Sequence, residues 1–125
     1  MSKIRILYVD DDAIHRMVVT QLTARQPNLE VVTTDSALDA LNRMAKGQNF
    51  DALLVDWNMP EMSGYKLVCA LRANPQFKKL RIMMVTVKNS PGRVKQALNA
   101  GVDEYLMKPL TRESLLSKLE LLMFN

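Results

Sequence analysis

The residues of this chain with chemistry to offer are the run Asp10, Asp11 and Asp12, Asp56 at the end of the apolar run DALLV, Thr86 in MMVTV, and Lys108 in EYLMKP. Each ends or follows a stretch that otherwise reads as buried, where a carboxylate or an ammonium is costly unless paired. If they met at one place, the carboxylates would repel one another unless a cation neutralised them. Oxygen donors favour a hard ion such as magnesium, with manganese as its substitute. An acidic pocket holding a divalent ion, a hydroxyl and a lysine suits a phosphoryl group, whose transfer depends mostly on positioning and charge neutralisation. Asp56 would be its acceptor.

Positioning them requires elements that all end at one place. Short apolar or β-branched runs, IRILYV, LEVVT, DALLV, LRIMMVTV and EYLM, alternate with stretches of helical period. The helical faces are Ile14, Met17, Val18 and Leu22; Leu38, Leu41 and Ala45; Leu67, Val68 and Leu71; Val94, Ala97 and Leu98; and Leu115, Leu119 and Leu122. Ser63 and Ser90 suit helix N-caps, Pro91 a first helical position and Gly101 a left-handed helix stop. Repeated strand-helix units predict an α/β fold, a doubly wound parallel sheet covered on both faces. In such a sheet the ligand crevice lies beyond the carboxyl ends of the strands, and that is where the acids, Thr86 and Lys108 fall.

Length and composition bound the rest. A chain of 125 residues, 48% hydrophobic, is expected to form one domain spanning 1–125. Cys69 alone rules out a disulfide framework, and His15 alone cannot make a zinc cluster or a metalloprotease helix. No run approaches the roughly 18 apolar residues of a membrane span, so a cytoplasmic, reducing location without export or anchoring is expected.

Together these motifs resemble the receiver domain of two-component response regulators, and within it the small chemotaxis-type members. The acidic pair in VDDD, the acceptor in VDWNMPEMSG, the hydroxyl in MMVTV and the lysine in AGVDEYLMKP stand in the family's order and spacing, and the resemblance covers the whole chain. It implies a five-stranded sheet of order 2-1-3-4-5. It implies that Asp56 takes a phosphoryl group from a kinase phosphohistidine, that Asp11 binds magnesium directly and Asp10 mainly through water, and that Asp56 and the Asn58 carbonyl complete the protein's share. By the same resemblance Lys108 grips the phosphoryl oxygens, Thr86 hydrogen-bonds the group on arrival, Tyr105 swings into the space the threonine leaves, and Lys108–Pro109 is cis. The implied partners are a histidine kinase or phosphotransfer protein and a downstream target that binds helix 4, strand 5 and helix 5. The implied enzymology is confined to phosphotransfer and slow self-dephosphorylation.

Several residues carry plainer expectations. Asp12 reads as a helix N-cap, His15 as a solvated helix residue, Cys69 as core, and Met59 and Met62 as packing around the turn, with Trp57 partly exposed beside the acceptor. Leu121 and Phe124 fall off the apolar stripe of the last helix and could pair two protomers. Val87 stands where the family usually has a small residue and should narrow access to the site. Lys88, where chemotaxis members often carry an acid, shares with Asn58 the positions that tune phosphoryl lifetime. From Met62 to Val102 there are eight Lys or Arg and no Asp or Glu. That basic stretch favours a solvated face, with an acidic partner or a nucleic acid as rivals, although few aromatics are present to stack bases. Two other function classes follow: an aspartyl-phosphate hydrolase, which would place its nucleophile after strand one and need a cap domain, and a phosphorylation-independent binding module using the basic stretch.

Overall fold

In the computed structural model, which describes residues 3–87 and 91–124, strand β1 (Ile4–Val9) buries Ile6, Leu7, Tyr8 and Val9, and strand β3 (Ala52–Val55) is buried throughout. Strands apolar on both faces belong in the middle of a sheet covered on both sides. They occupy that place: with β2 (Leu29–Thr34), β4 (Arg81–Thr86) and β5 (Glu104–Met107) they form a parallel sheet of order β2-β1-β3-β4-β5. The sheet carries helices α1 (Ala13–Thr23), α2 (Ala37–Ala45), α3 (Gly64–Arg72), α4 (Pro91–Ala100) and α5 (Arg112–Phe124), and a 3-10 turn spans Pro75–Phe77.

Alternation along the strands divides the core in two. Leu7, Val9, Leu53, Val55, Ile82 and Met84 pack with Ala40 and Met44 of α2, Leu67 and Leu71 of α3, and Ala97 of α4. Ile6, Tyr8, Leu54, Met83 and Val85 face Val19 of α1 and Leu115, Leu119 and Leu122 of α5. The winding therefore reverses between β1 and β3. Register sets the level of everything that follows: Val9 pairs with both Thr34 and Val55, and Thr86 with Met107, so Asp10 and Asp56 emerge side by side with Lys108 beyond β5.

Local chemistry fixes the helix ends. Asp12 caps α1 by accepting from the Ile14 amide at 2.8 Å, Ser36 caps α2 and Ser63 caps α3. Pro91 opens α4 and Gly101, at φ +109°, follows its end; Ser90 lies outside the described residues.

Four details differ from the periodicity reading. Ile14 and Met17 are 68% and 58% exposed, while Leu22 of the expected face does pack on the core, beside Val19. The helix starts where β1 stops, so its first turns overhang the strand ends and find no sheet to cover them. In α2 the buried stripe is Ala37, Ala40 and Met44, because small alanines let the helix approach closely, and Leu38 turns outward. Leu98 of α4 is also exposed, and Cys69, on the outer side of α3, is exposed where a core position was expected. Among the described residues, no helix is long and apolar enough to cross a membrane.

Removing core volume from the central strand should be far more costly than trimming an outward leucine. Leu54→Ala is expected to lose about 2–5 kcal/mol and Leu98→Ala less than about 0.5 kcal/mol. Urea unfolding midpoints at unchanged slope would measure both, and equal losses would contradict the assigned faces.

Candidate functional site

The site begins with Asp10, a fully buried carboxylate at the end of β1. Its burial is matched by donors on every side. Oδ2 accepts from the Tyr8 hydroxyl at 2.6 Å and from the Lys108 ammonium at 2.6 Å, while Oδ1 accepts from the Asp12 amide at 2.9 Å. The Asp10 carbonyl is held by Arg16 at 2.7 Å. Burial alone would raise the Asp10 carboxyl, but the hydrogen bonds from Lys108, Tyr8 and Asp12 outweigh it and hold the group below the ordinary carboxylate value. The Tyr8 hydroxyl moves the other way, pushed far up by burial and then by the neighbouring Asp10 charge.

Lys108 comes to the same point from the other end of the chain. Its amide donates to the Thr86 carbonyl at 3.0 Å, and the Lys108–Pro109 peptide is cis. The ammonium has three partners: Asp10 at 2.6 Å, the Asp56 carboxylate at 3.2 Å, and Nδ1 of His15 at 2.7 Å. His15 is therefore part of the site and not simply a solvated helix residue. It is brought there by the Asp12 cap, which starts α1 at the strand end. Accepting at Nδ1 requires the ring proton on Nε2, and Nε2 faces the Asp12 carboxylate at 3.8 Å.

The loop after Asp56 is shaped by close backbone contact. The Asp56 amide donates to the Val9 carbonyl at 3.0 Å and the Gly64 amide to the Trp57 carbonyl at 2.8 Å. A side chain at Gly64 would put its Cβ 2.0 Å from the Asp56 carbonyl oxygen, so only glycine fits. Trp57 is 6% exposed, not partly exposed as its sequence position suggests. It stacks on Tyr65 with centroids 5.3 Å apart, and the Arg93 guanidinium covers its ring at 4.4 Å. Met59 and Met62 are half-buried against the same core.

The remaining sequence-predicted residues surround this centre. Asp11 and Asn58 are exposed beside it. Thr86 is fully buried at the end of β4, while Val87 is 59% exposed. Tyr105, half-buried on β5, packs on the α2/α3/α4 side, and burial is the main cause raising its hydroxyl pKa. Lys88 lies outside the described residues. Tyr8 was not singled out from the sequence, yet a signal existed: a tyrosine two residues before Asp10 shares its strand face, and a buried hydroxyl needs a partner.

The donor set fits a hard divalent cation. The Asp10 and Asp56 carboxylates share one ammonium, with the Asp12 carboxylate 3.8 Å from the His15 ring and Asp11 exposed next in the chain, which leaves an excess of negative charge and of oxygen donors. The structure brings Asp10 and Asp56 together with His15, their ligand atoms within 4.8 Å of one another, and leaves Asp11 exposed beside them.

Comparison with known proteins gives a consistent answer. Residues 6–120 match the family described as "Response regulator receiver domain". A chemotaxis protein CheY homolog of Campylobacter jejuni is 34% identical over 116 residues, covering 93% of this chain and 89% of that protein. The chemotaxis protein CheY of Pseudomonas aeruginosa is 36% identical, with 93% of each covered. The solved structure of Vibrio cholerae chemotaxis protein CheY4 superposes with a TM-score of 0.89 at 31% identity, covering 97% of this chain and 99% of that one.

Asp10→Asn removes one charge of a buried pair and should cost about 3–5 kcal/mol near neutral pH. Because the folded carboxyl titrates below its unfolded value, the stability it contributes is present above roughly pH 4 and is lost as pH falls through the folded value. The gap between wild type and Asp10→Asn in urea midpoint should therefore hold steady above roughly pH 5 and narrow below roughly pH 4. A gap that widened on acidification would contradict the assignment.

Proposed function

The chain belongs to the response regulator receiver family, and from that premise we propose that it is a phospho-acceptor switch that takes a phosphoryl group on Asp56. The observation that carries this reading is the convergence of the Asp56 carboxylate and the Lys108 ammonium, 3.2 Å apart, at the strand ends beside buried Asp10. In the proposed reaction an Asp56 oxygen attacks the phosphorus of a phosphohistidine on a kinase or phosphotransfer protein. The P–N bond breaks, the imidazole leaves, and an acyl phosphate forms. Lys108 is the group placed to meet the new phosphoryl oxygens with a charge-assisted bond. A magnesium ion, when bound by Asp10, Asp11, Asp56 and the Asn58 carbonyl, supplies neutralising charge for the same oxygens. Water attack on phosphorus later breaks the P–O bond to Asp56, releases inorganic phosphate and restores the carboxylate.

The output step follows from Thr86 and Tyr105. Shifting a domain from mostly inactive to mostly active takes about 5.5 kcal/mol of differential interaction. A hydroxyl bond from Thr86 to the phosphoryl group, with Tyr105 moving inward behind it, would supply part of that and alter the α4, β5 and α5 face. The exposed Leu98, Met107, Leu121 and Phe124 lie on those elements and suit a protein target or a second, phosphorylated copy. We read residues 1–125 as one receiver unit acting in the cytoplasm on such partners. The phosphorylation-independent reading is not favoured, because the basic stretch is partly spent internally. Arg72 binds the Gly101 and Phe77 carbonyls and Asp103, and Arg93 covers Trp57.

Incubation with acetyl phosphate and magnesium should add one phosphoryl group to the intact mass of the wild type, and none to Asp56→Asn or without metal. No gain under any condition would sink the switch and return attention to a constitutive binding module. Val87 stands one residue past Thr86, and Val87→Ala should change the rate of phosphotransfer or of hydrolysis several-fold. Mass-resolved time courses would show it, and two unchanged rates would remove Val87 from the account of access.

A further inference from the structure

We propose that the donors around the Lys108 ammonium also form a site for a borderline transition-metal ion, zinc being the representative, with His15 as its nitrogen ligand. This goes beyond the magnesium reading, whose oxygen donors include Asp11 and exclude His15. One ligand atom each from Asp10, His15 and Asp56 lies within 4.8 Å of the others. A tetrahedral ion with bonds of about 2.0–2.2 Å spaces its ligands by roughly 3.3–3.6 Å. The pair of Asp10 Oδ2 and His15 Nδ1 already stands at 3.4 Å, and closure draws the third donor inward by about 1 Å at most. The same three groups already surround a cation, the ammonium, at 2.6, 2.7 and 3.2 Å.

A second observation points the same way. Nδ1 of His15 faces the centre, while Nε2 has the Asp12 carboxylate behind it at 3.8 Å. At that distance the carboxylate attracts the ring electrostatically, and a closer approach would make the hydrogen bond by which outer carboxylates orient metal-binding histidines. An imidazole gives magnesium little, but it favours the later first-row divalent ions in the usual order of affinity.

Ammonium and metal cannot share the three donors, so the ion displaces Lys108 from Asp10, His15 and Asp56. A cavity of about 210 Å³, lined by Tyr8, Val18, Pro109 and Leu110 with His15 and Lys108, leaves the lysine stem room to swing. The displaced lysine is the one proposed to grip the phosphoryl group, so such an ion acts as an antagonist of phosphorylation.

The chain has one histidine, so its ring signals in a proton NMR spectrum belong to His15. Zinc is titrated into the protein, into His15→Ala and into Lys108→Ala, all carrying Cys69→Ser because the exposed thiol is a rival ligand. Zinc should shift the His15 ring signals by more than magnesium does, because only zinc takes Nδ1 as a ligand. Calorimetric zinc affinity should fall on the order of tenfold or more in His15→Ala and rise in Lys108→Ala. Ring signals unmoved at saturating zinc, equal affinity in His15→Ala, or no gain in Lys108→Ala would each overturn the proposal. The ring signals test it on protein with His15 intact, even if a variant fails to fold. Magnesium affinity, read in parallel, belongs to the phospho-acceptor reading and can fail without touching this one.

Discussion

The buried pair of Asp10 and Lys108 is the constraint on which the rest of the structure depends. The two residues are 98 positions apart, yet their charged atoms meet at 2.6 Å with the carboxylate wholly shielded from water. Taking two charges out of water costs several kcal/mol per ion, and their attraction offsets that only where the remaining donors and acceptors are also used. The surroundings follow from this requirement. Tyr8 must lie on the same strand face as Asp10, Asp12 must turn its amide back, and α1 must start at once so that His15 reaches the ammonium. The sheet order matters for the same reason. β3 and β4 lie between β1 and β5, so the lysine crosses the strand ends and passes Asp56 on its way to Asp10.

That crossing ties the chemistry to one wall of the fold. Lys108 is bound through its amide to Thr86 of β4 and follows directly on β5, while Asp56 leads into the loop closed by Gly64 against its own carbonyl. Trp57, next in that loop, is covered by Arg93 from the start of α4. Asp56 is therefore linked to α4 through the Arg93 guanidinium on the Trp57 ring and to β5 through the lysine. A change at Asp56 has two physical routes to the same face, one through packing and one through charge.

Much of this was legible in the sequence, and what was not has a common cause. The strand runs, the parallel winding, the α5 stripe and the placing of acids at strand ends follow from local patterns of period two and of roughly 3.6. The burial of Trp57 does not, because its cover comes from Arg93, 36 residues later, and no local rule connects them. Cys69 and Leu98 are apolar or soft residues left outside because their helices turn other faces to the sheet. His15 is different: it read as a solvated helix residue, although its place three residues after the cap Asp12, on the first turn of a helix starting at the acids, was a local signal that its ring could reach the site.

The resting arrangement also limits where the energy of switching can come from. In the resting state Lys108 is already fully engaged, with Asp10, His15 and Asp56 as partners. Only differences between states bias an equilibrium, and a contact present in both contributes nothing. On the proposed function the bonds to Asp10 and His15 persist, and the ammonium exchanges an Asp56 oxygen for a phosphoryl oxygen. The lysine then stabilises the phosphoryl group against loss more than it drives the change of shape. On that reading the driving energy has to come from contacts formed only after phosphorylation. On the proposed function, Thr86, buried at the end of β4 and joined through its carbonyl to the Lys108 amide, would make one of them.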